Sequence, residues 1–352
     1  MDLGKLKEIL KNEKPYRLKQ AEKAVYKNLA DDWSTVSSLP ALLRDKLTES
    51  CPILIDYKPI VSQSKDTLKA LIKLNDGLAV ETVLLQHAQG RNTVCVSSQV
   101  GCPLGCLFCK TGKIGYKRNL TAYEIAEQVL FFSYYLKKKN AHESTHKSDN
   151  QNVNRGAHPS THVTNVVFMG MGEPFLNYGN VMDAIRILND KDKFNIGARK
   201  ISISTCGIPQ KIEKLSKENL QVNLAISLSA PNNELRSRLM PINEKYPVEA
   251  VIDAAKKYIA RTNRRVMFEY VLIDKFNESG EAARELAEIL KGLLCFVNLI
   301  PFNGKGALNA PSKEKIGLFK SILKKSGISV TERYRFGQDI NAACGQLLYS
   351  SD

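Results

Sequence analysis

Apolar and polar positions along this chain change rhythm twice. Over residues 1 to about 60 they recur at helical spacing. In "LPALLRDKL", Leu39, Leu42, Leu43 and Leu47 share a face, and Pro40 suits a first helical turn. The stretch "DTLKALIKLNDGLAVETVLLQ" alternates instead, in two runs hinged at Asn75-Asp76-Gly77, which predicts a β-hairpin. Beyond it, apolar strands alternate with amphipathic helices. Strands are expected over 93–97, 165–169, 200–204, 222–227, 265–273 and 296–300. Helices are expected near 121–136, 178–190, 208–217, 247–262 and 280–293, and a last helix (312–325) and strand (329–335) follow. Six strand–helix repeats predict an α/β fold, a parallel sheet covered by helices, either open or closed into a barrel.

The pattern divides the chain into a helical unit over 1–60, a β-hairpin linker over 61–91 and an α/β core over 92–352. One segment of the core, about 138–162, is polar and aperiodic and reads as a disordered surface insertion. It holds four of the five histidines, but without the regular spacing of a metal site.

Composition narrows the class. The chain has 352 residues, 43% hydrophobic and 25% charged, an ordinary soluble balance. No run approaches the roughly 20 apolar residues that span a bilayer. The opening "MDLGKLKEILKNEKPYR" is amphipathic and carries acids, unlike a secretory or transit peptide, so a cytoplasmic location is expected. The formal charge of +15 points to a polyanionic partner, nucleic acid before others. Lys14, Arg17, Lys19 and Lys23 fall close together as a candidate phosphate-facing surface, and Tyr116, Lys117 and Arg118 form a second. Nothing in the pattern suggests self-association, so a monomer is expected.

Eight cysteines in a reducing compartment suggest metal or catalytic roles before a disulfide framework. Four of them crowd into "CVSSQVGCPLGCLFCKTG". Cys102, Cys106 and Cys109 form a C-x3-C-x2-C triplet with no second pair downstream. Three thiolates suit a [4Fe–4S] cluster with one iron left open, because each cluster iron takes one external thiolate. A zinc site with a fourth ligand elsewhere, in a non-catalytic RNA-binding protein, is the alternative. The triplet follows the first strand of the repeat, on the edge where α/β folds build active sites. "VVFMGMGEPFLNY" brings Gly172 and Glu173 to the next strand end, where a carboxylate suits an ammonium group. Further strand ends add Ser204, Ser227, Leu228, Ser229 and Asn303 to the same rim.

The triplet on a strand-one loop before six βα units resembles the radical S-adenosylmethionine enzymes, which implies a partial (βα)6 barrel. "CVSSQVGCPLGCLFC", "GMGEPFLN", "RSRLMPIN" and "INAACGQL", in order and nearly end to end, are similar to the ribosomal RNA adenine methyltransferases of that superfamily. The N-terminal unit likewise resembles that family's accessory domain. The resemblance implies Cys102, Cys106 and Cys109 as cluster ligands, and Gly172, Glu173, Ser204, Ser227, Leu228, Ser229 and Asn303 as S-adenosylmethionine contacts. Two molecules of S-adenosylmethionine would serve each turnover, one methylating Cys344 and one yielding a deoxyadenosyl radical that activates the S-methyl group. The methylene radical would add to the adenine. Cys95 would then release the product by forming a disulfide with Cys344, and Glu81 would accept the ring proton. The implied partners are 23S ribosomal RNA, with transfer RNA as a further substrate, and an electron donor such as flavodoxin or ferredoxin.

Two positions depart from the family pattern. Ser229 stands where a histidine is usual, and Lys110 where a small residue is usual. The family contains adenine-C2 enzymes and C8 relatives that confer antibiotic resistance, and both share every catalytic cysteine. "GMGEP" favours C2, whereas "GISVTERYRFGQDINAACGQL" looks somewhat like the C8 group.

Overall fold

Helical spacing near the N-terminus becomes α1 (Leu3–Ile9), α2 (Pro15–Tyr26) and α3 (Ala41–Ser50) in the computed structural model, which describes residues 3–53, 59–145, 162–304, 308–334 and 336–348. Pro15 starts α2 at a position whose missing N–H costs nothing. Leu3, Leu6, Val25, Leu43 and Leu47 bury around Trp33, whose indole N–H donates to the Cys51 carbonyl at 2.7 Å. This cluster is completed by Ala126, Leu130 and Tyr134 from the α/β part.

The strands follow as β1 (Ile60–Val61), β2 (Thr67–Lys73), β3 (Ala79–Gln86) and β4 (Asn92–Cys95). A small pair, β5 (Gln99–Gly101) and β6 (Tyr116–Asn119), encloses α4 (Lys110–Lys113) and is followed by α5 (Ala122–Thr145). Then come β7 (Asn165–Phe168), α6 (Tyr178–Asn189), β8 (Ile201–Thr205), α7 (Pro209–Ser216), β9 (Asn223–Ser227) and α8 (Asn233–Leu239). The chain ends through α9 (Val248–Thr262), β10 (Val266–Leu272), α10 (Gly280–Leu290), β11 (Cys295–Pro301), α11 (Lys313–Lys325) and β12 (Val330–Glu332).

Ten strands form one sheet in the order β1-β2-β3-β4-β7-β8-β9-β10-β11-β12. From β4 onward every neighbouring pair is parallel, joined by helical crossovers. The fold is the expected α/β architecture, its core strands buried and apolar, with Val166, Ile203, Ile226, Phe268 and Leu299 among them.

Three features differ from the sequence expectation. The hairpin read as a linker pairs antiparallel with β4 and so extends the main sheet, which explains why β3 is buried along most of its length. Helix α5 runs on to Thr145, so the segment expected to be irregular from 138 begins as helix; residues 146–161 lie outside the described residues. The β5–β6 pair, too short to show a period, was not anticipated, and it forms the base of the cysteine loop.

Trp33→Phe removes the indole N–H that donates to the Cys51 carbonyl while keeping an aromatic ring. A buried hydrogen bond contributes about 0.5–1.5 kcal/mol net. Urea titration followed by circular dichroism should show a loss of that size; an unchanged midpoint would mean the bond contributes nothing.

Candidate active site

The carboxyl ends of the parallel strands open on a single cavity. Its wall takes Cys95 from β4, Gly170 and Glu173 after β7, Ser204 to Cys206 from β8, Ser227 from β9, Glu269 from β10 and Asn303 after β11. Two glycines let backbones close in beneath it. A Cβ on Gly170 would lie 2.7 Å from the Val96 carbonyl, and one on Gly172 would meet the Gln99 side chain at 2.5 Å. Gly172 also has a φ of +97°, open to glycine at little cost.

The cysteine loop hangs from β5 and β6 and is tied at several points. Cys102 N–H donates to the Gly115 carbonyl at 2.9 Å, and Leu107 N–H to the Leu239 carbonyl of α8 at 3.0 Å. Cys102, Cys106 and Cys109 all line the cavity. Burial pushes the Cys102 thiol up to about 12 and the Cys106 thiol well above its ordinary value, and a bound metal would displace the proton of each. Three thiols lining one cavity can give one external thiolate to each of three irons, which is the fit the site offers to a cluster.

Glu173 is buried at the end of β7 and accepts three hydrogen bonds. The donors are Thr205 Oγ at 2.7 Å, Cys206 N–H at 2.8 Å and Phe175 N–H at 2.9 Å. Burial raises its pKa, and these donors oppose that by favouring the ionised form.

Cys95 and Cys344 act electrostatically on each other and on Arg333. Burial pushes the Cys95 thiol up to about 12. Burial also raises Cys344, and the Arg333 guanidinium opposes it. Arg333 in turn pairs with Glu269 at 3.4 Å, and Ser204 and Ser227 both bond the same carboxylate. All eight cysteines are free thiols.

Comparison with known proteins decides the family. The radical SAM superfamily model matches residues 150–287. A probable dual-specificity RNA methyltransferase RlmN from Dictyoglomus turgidum is 43% identical over 98% of this chain and 94% of its own. The ribosomal RNA large subunit methyltransferase N of Nitrosopumilus maritimus is 42% identical over 94% of this chain and 92% of its own. The chain belongs to the RlmN family of radical SAM RNA methyltransferases. The fold agrees: a crystal structure of a radical SAM methyltransferase from Sphaerobacter thermophilus superposes with a TM-score of 0.85, at 42% identity, covering 99% of this chain and 97% of that one. As a family member the protein is an enzyme whose cofactors are a [4Fe–4S] cluster and S-adenosylmethionine.

Most residues singled out in the sequence meet in this RlmN-family cavity: Cys95, Cys102, Cys106, Cys109, Gly172, Glu173, Ser204, Ser227, Asn303 and Cys344 line it. Leu228, Ser229 and Glu81 do not. Leu228 and Ser229 are fully buried behind the rim, with both amides donating to the Glu269 carbonyl. Ser229 has a φ of +57° and its carbonyl accepts from Asn277, so it shapes a turn. Glu81 is buried on β3, paired with Lys69 at 2.8 Å, and accepts from Leu348 N–H at 2.8 Å. Arg118, expected to face phosphate, turns to Asp76 and Glu124 instead. Sequence reasoning missed Arg333 and Glu269. The one available signal was a carboxylate inside the apolar strand "VMFEYVL".

The Cys95 thiol gives a pH test. Its folded value of about 12 lies above the ordinary 9.0, so the folded chain keeps a proton that the unfolded chain releases. Its contribution is therefore fully present below pH 9 and is lost as pH rises toward 12. One such group sets a slope of about 1.4 kcal/mol per pH unit. Cluster-free Cys95→Ala should lose stability less steeply than the parent chain across that range in urea titrations, and equal slopes would refute the buried neutral thiol.

Proposed function

We propose that this protein methylates C2 of an adenine in 23S ribosomal RNA, with transfer RNA as a further substrate, and that Cys344 carries the methyl group. The observation that supports this reading is the opening of Cys95 and Cys344 onto the same cavity as the three loop cysteines and Glu173. The names of the relatives, a dual-specificity RNA methyltransferase and a large-subunit ribosomal RNA methyltransferase, agree with it.

Cys102, Cys106 and Cys109 would hold the cluster, and Gly172, Glu173, Ser204, Ser227 and Asn303 would hold S-adenosylmethionine. Once bound, these groups supply a methyl cation equivalent and, separately, a carbon-centred radical. The remaining work falls to the chain. Adenine C2 is electron-poor and does not attack a sulfonium methyl, so a sulfur nucleophile must take the methyl first. Cys344 serves, with Arg333 opposing the effect of burial on its thiolate. The S-methyl carbon would lose a hydrogen atom to that radical and join C2 while still bonded to the sulfur of Cys344. The adduct would then give up one electron, returned to the cofactor that supplied it, and the C2 proton. Cys95 attacks that sulfur: the S–S bond forms, the S–C bond breaks, and its electron pair stays on carbon, which takes a proton. Both thiols end oxidised, and a reductant must restore them. Glu81, expected as the ring-proton acceptor, is engaged by Lys69 and Leu348, and we assign it instead to holding the segment that carries Cys344.

RNA is the polyanion that the charge of +15 suits. Lys14, Lys19 and Lys23 are exposed on or beside α2 for phosphate contact, whereas Arg17 is bonded to Gln20 and Ser38. No helix among the described residues is long and apolar enough to cross a membrane, and we assign the enzyme to the cytoplasm as a monomer fed by a flavodoxin or ferredoxin.

Nucleoside mass spectrometry of ribosomal RNA from cells with and without the protein tests the regiochemistry. The expected product is 2-methyladenosine; 8-methyladenosine would move the assignment to the C8 relatives. Cys344→Ala should abolish the product while retaining iron. Cys95→Ala should trap an RNA–protein adduct that survives denaturing electrophoresis, and a variant that turns over freely would remove Cys95 from the mechanism.

A further inference from the structure

Arg236, on α8, is 0% exposed. Every nitrogen of its guanidinium donates: Nε to the Leu228 carbonyl at 3.2 Å, one Nη to Asn243 Oδ1 and the Tyr246 carbonyl, both at 2.9 Å, and the other Nη to the Cys206 carbonyl. All four acceptors are neutral. Buried Glu269 faces Arg333 and Glu81 faces Lys69, but among the described residues no carboxylate pairs with Arg236. The Cys206 carbonyl that it bonds belongs to a residue lining the same cavity as Cys102, Cys106 and Cys109, and the thiols of Cys206 and Cys106 are the ionisable groups that act on it.

A guanidinium kept dry with no anion is strongly disfavoured, and carbonyl dipoles offset only part of that. The Cys206 thiol is held neutral by burial and by the nearby Glu173 carboxylate. Cys106 is different, because a thiol that ligates metal gives up its proton. The loop carrying Cys106 is also fastened to the helix carrying Arg236, through Leu107 N–H and the Leu239 carbonyl.

We infer that Arg236 is the built-in counter-charge of the iron–sulfur cluster and raises its reduction potential. This rests on the reading of Cys102, Cys106 and Cys109 as the ligands. Reduction adds one electron, hence one negative charge, to a group already bearing thiolates. A fixed cation beside it favours the reduced form, and removing that cation makes reduction harder. Arg236 is thus an electrostatic residue that acts from behind the cavity wall, where it bonds the Cys206 carbonyl.

Potentiometric titration with dithionite, followed by electron paramagnetic resonance, reads this in the anaerobically reconstituted full chain. Arg236→Gln should weaken reduction at least tenfold, a fall of about 59 mV for one electron. Arg236→Lys, which keeps the charge, should recover most of that shift. Because Arg236 also ties three segments together, its loss could unfold the site. Asn243→Asp covers that case: it sets a carboxylate where Asn243 Oδ1 now lies, 2.9 Å from the guanidinium, and leaves Arg236 in place. It should lower the potential in the same direction. Iron-loaded Gln or Asp variants with the parent potential would overturn the inference alone. A parent chain that binds no iron would remove the cluster assignment and this inference with it.

Discussion

Charge held out of water at the carboxyl ends of the parallel strands is the constraint on which this molecule is built. Glu173, Glu269, Arg236 and Arg333 all sit at or behind the rim of one cavity, and three of the four are under 5% exposed. Removing one partner of a buried pair typically costs about 3–5 kcal/mol. Arg236 meets only neutral acceptors; the other three charges are each answered locally, and each answer fixes geometry. Glu173 is met by donors from two strand ends, which sets the approach of β7 to β8. Glu269 is met by Ser204, Ser227 and Arg333, which ties β8, β9 and β10 to the segment that follows β12. The polar atoms of the rim are committed to one another.

This explains how a strand order that leaves the sheet open still yields a defined pocket. The sheet runs from β1 to β12, and no pairing joins those two strands among the described residues. Side-chain bonds across the rim supply the positional order that backbone pairing does not. Behind it, Ser97 performs the same task with neutral groups: its hydroxyl donates to the Glu81 carbonyl at 2.6 Å and accepts from Met171 N–H at 2.9 Å.

The parts of this arrangement visible in the sequence share a physical cause. Strands buried on both faces need continuous apolar runs, so β7 to β11 stood out to within a residue or two. The cysteine triplet stood out because its chemistry demands three thiols at close spacing. What stayed hidden depends on distant contacts. Nothing local tells that the hairpin pairs with β4, since its alternation suits a linker equally well. Arg333 sits on an ordinary polar stretch, and only its position opposite Cys344 and Glu269 gives it meaning. Ser229 was read as a rim contact from its place at a strand end, but a left-handed backbone turns it into the wall. Strand ends mark where a site can be, and side-chain direction decides who enters it.

Cys344 shows the consequence most clearly, because it lies beyond the last strand in a segment with no ladder of its own. Such segments open at little cost unless tied down. This one is tied to three places. Gly345 accepts from Lys110 N–H at 2.9 Å, Leu347 from Thr111 Oγ at 2.8 Å, and Leu348 donates to Glu81 at 2.8 Å. Lys110 and Thr111 follow the last cysteine of the triplet directly. The backbone that would grip the cluster and the backbone that presents Cys344 are thus one hydrogen-bonded unit. Through these bonds the cysteine loop also holds the segment bearing Cys344 in place.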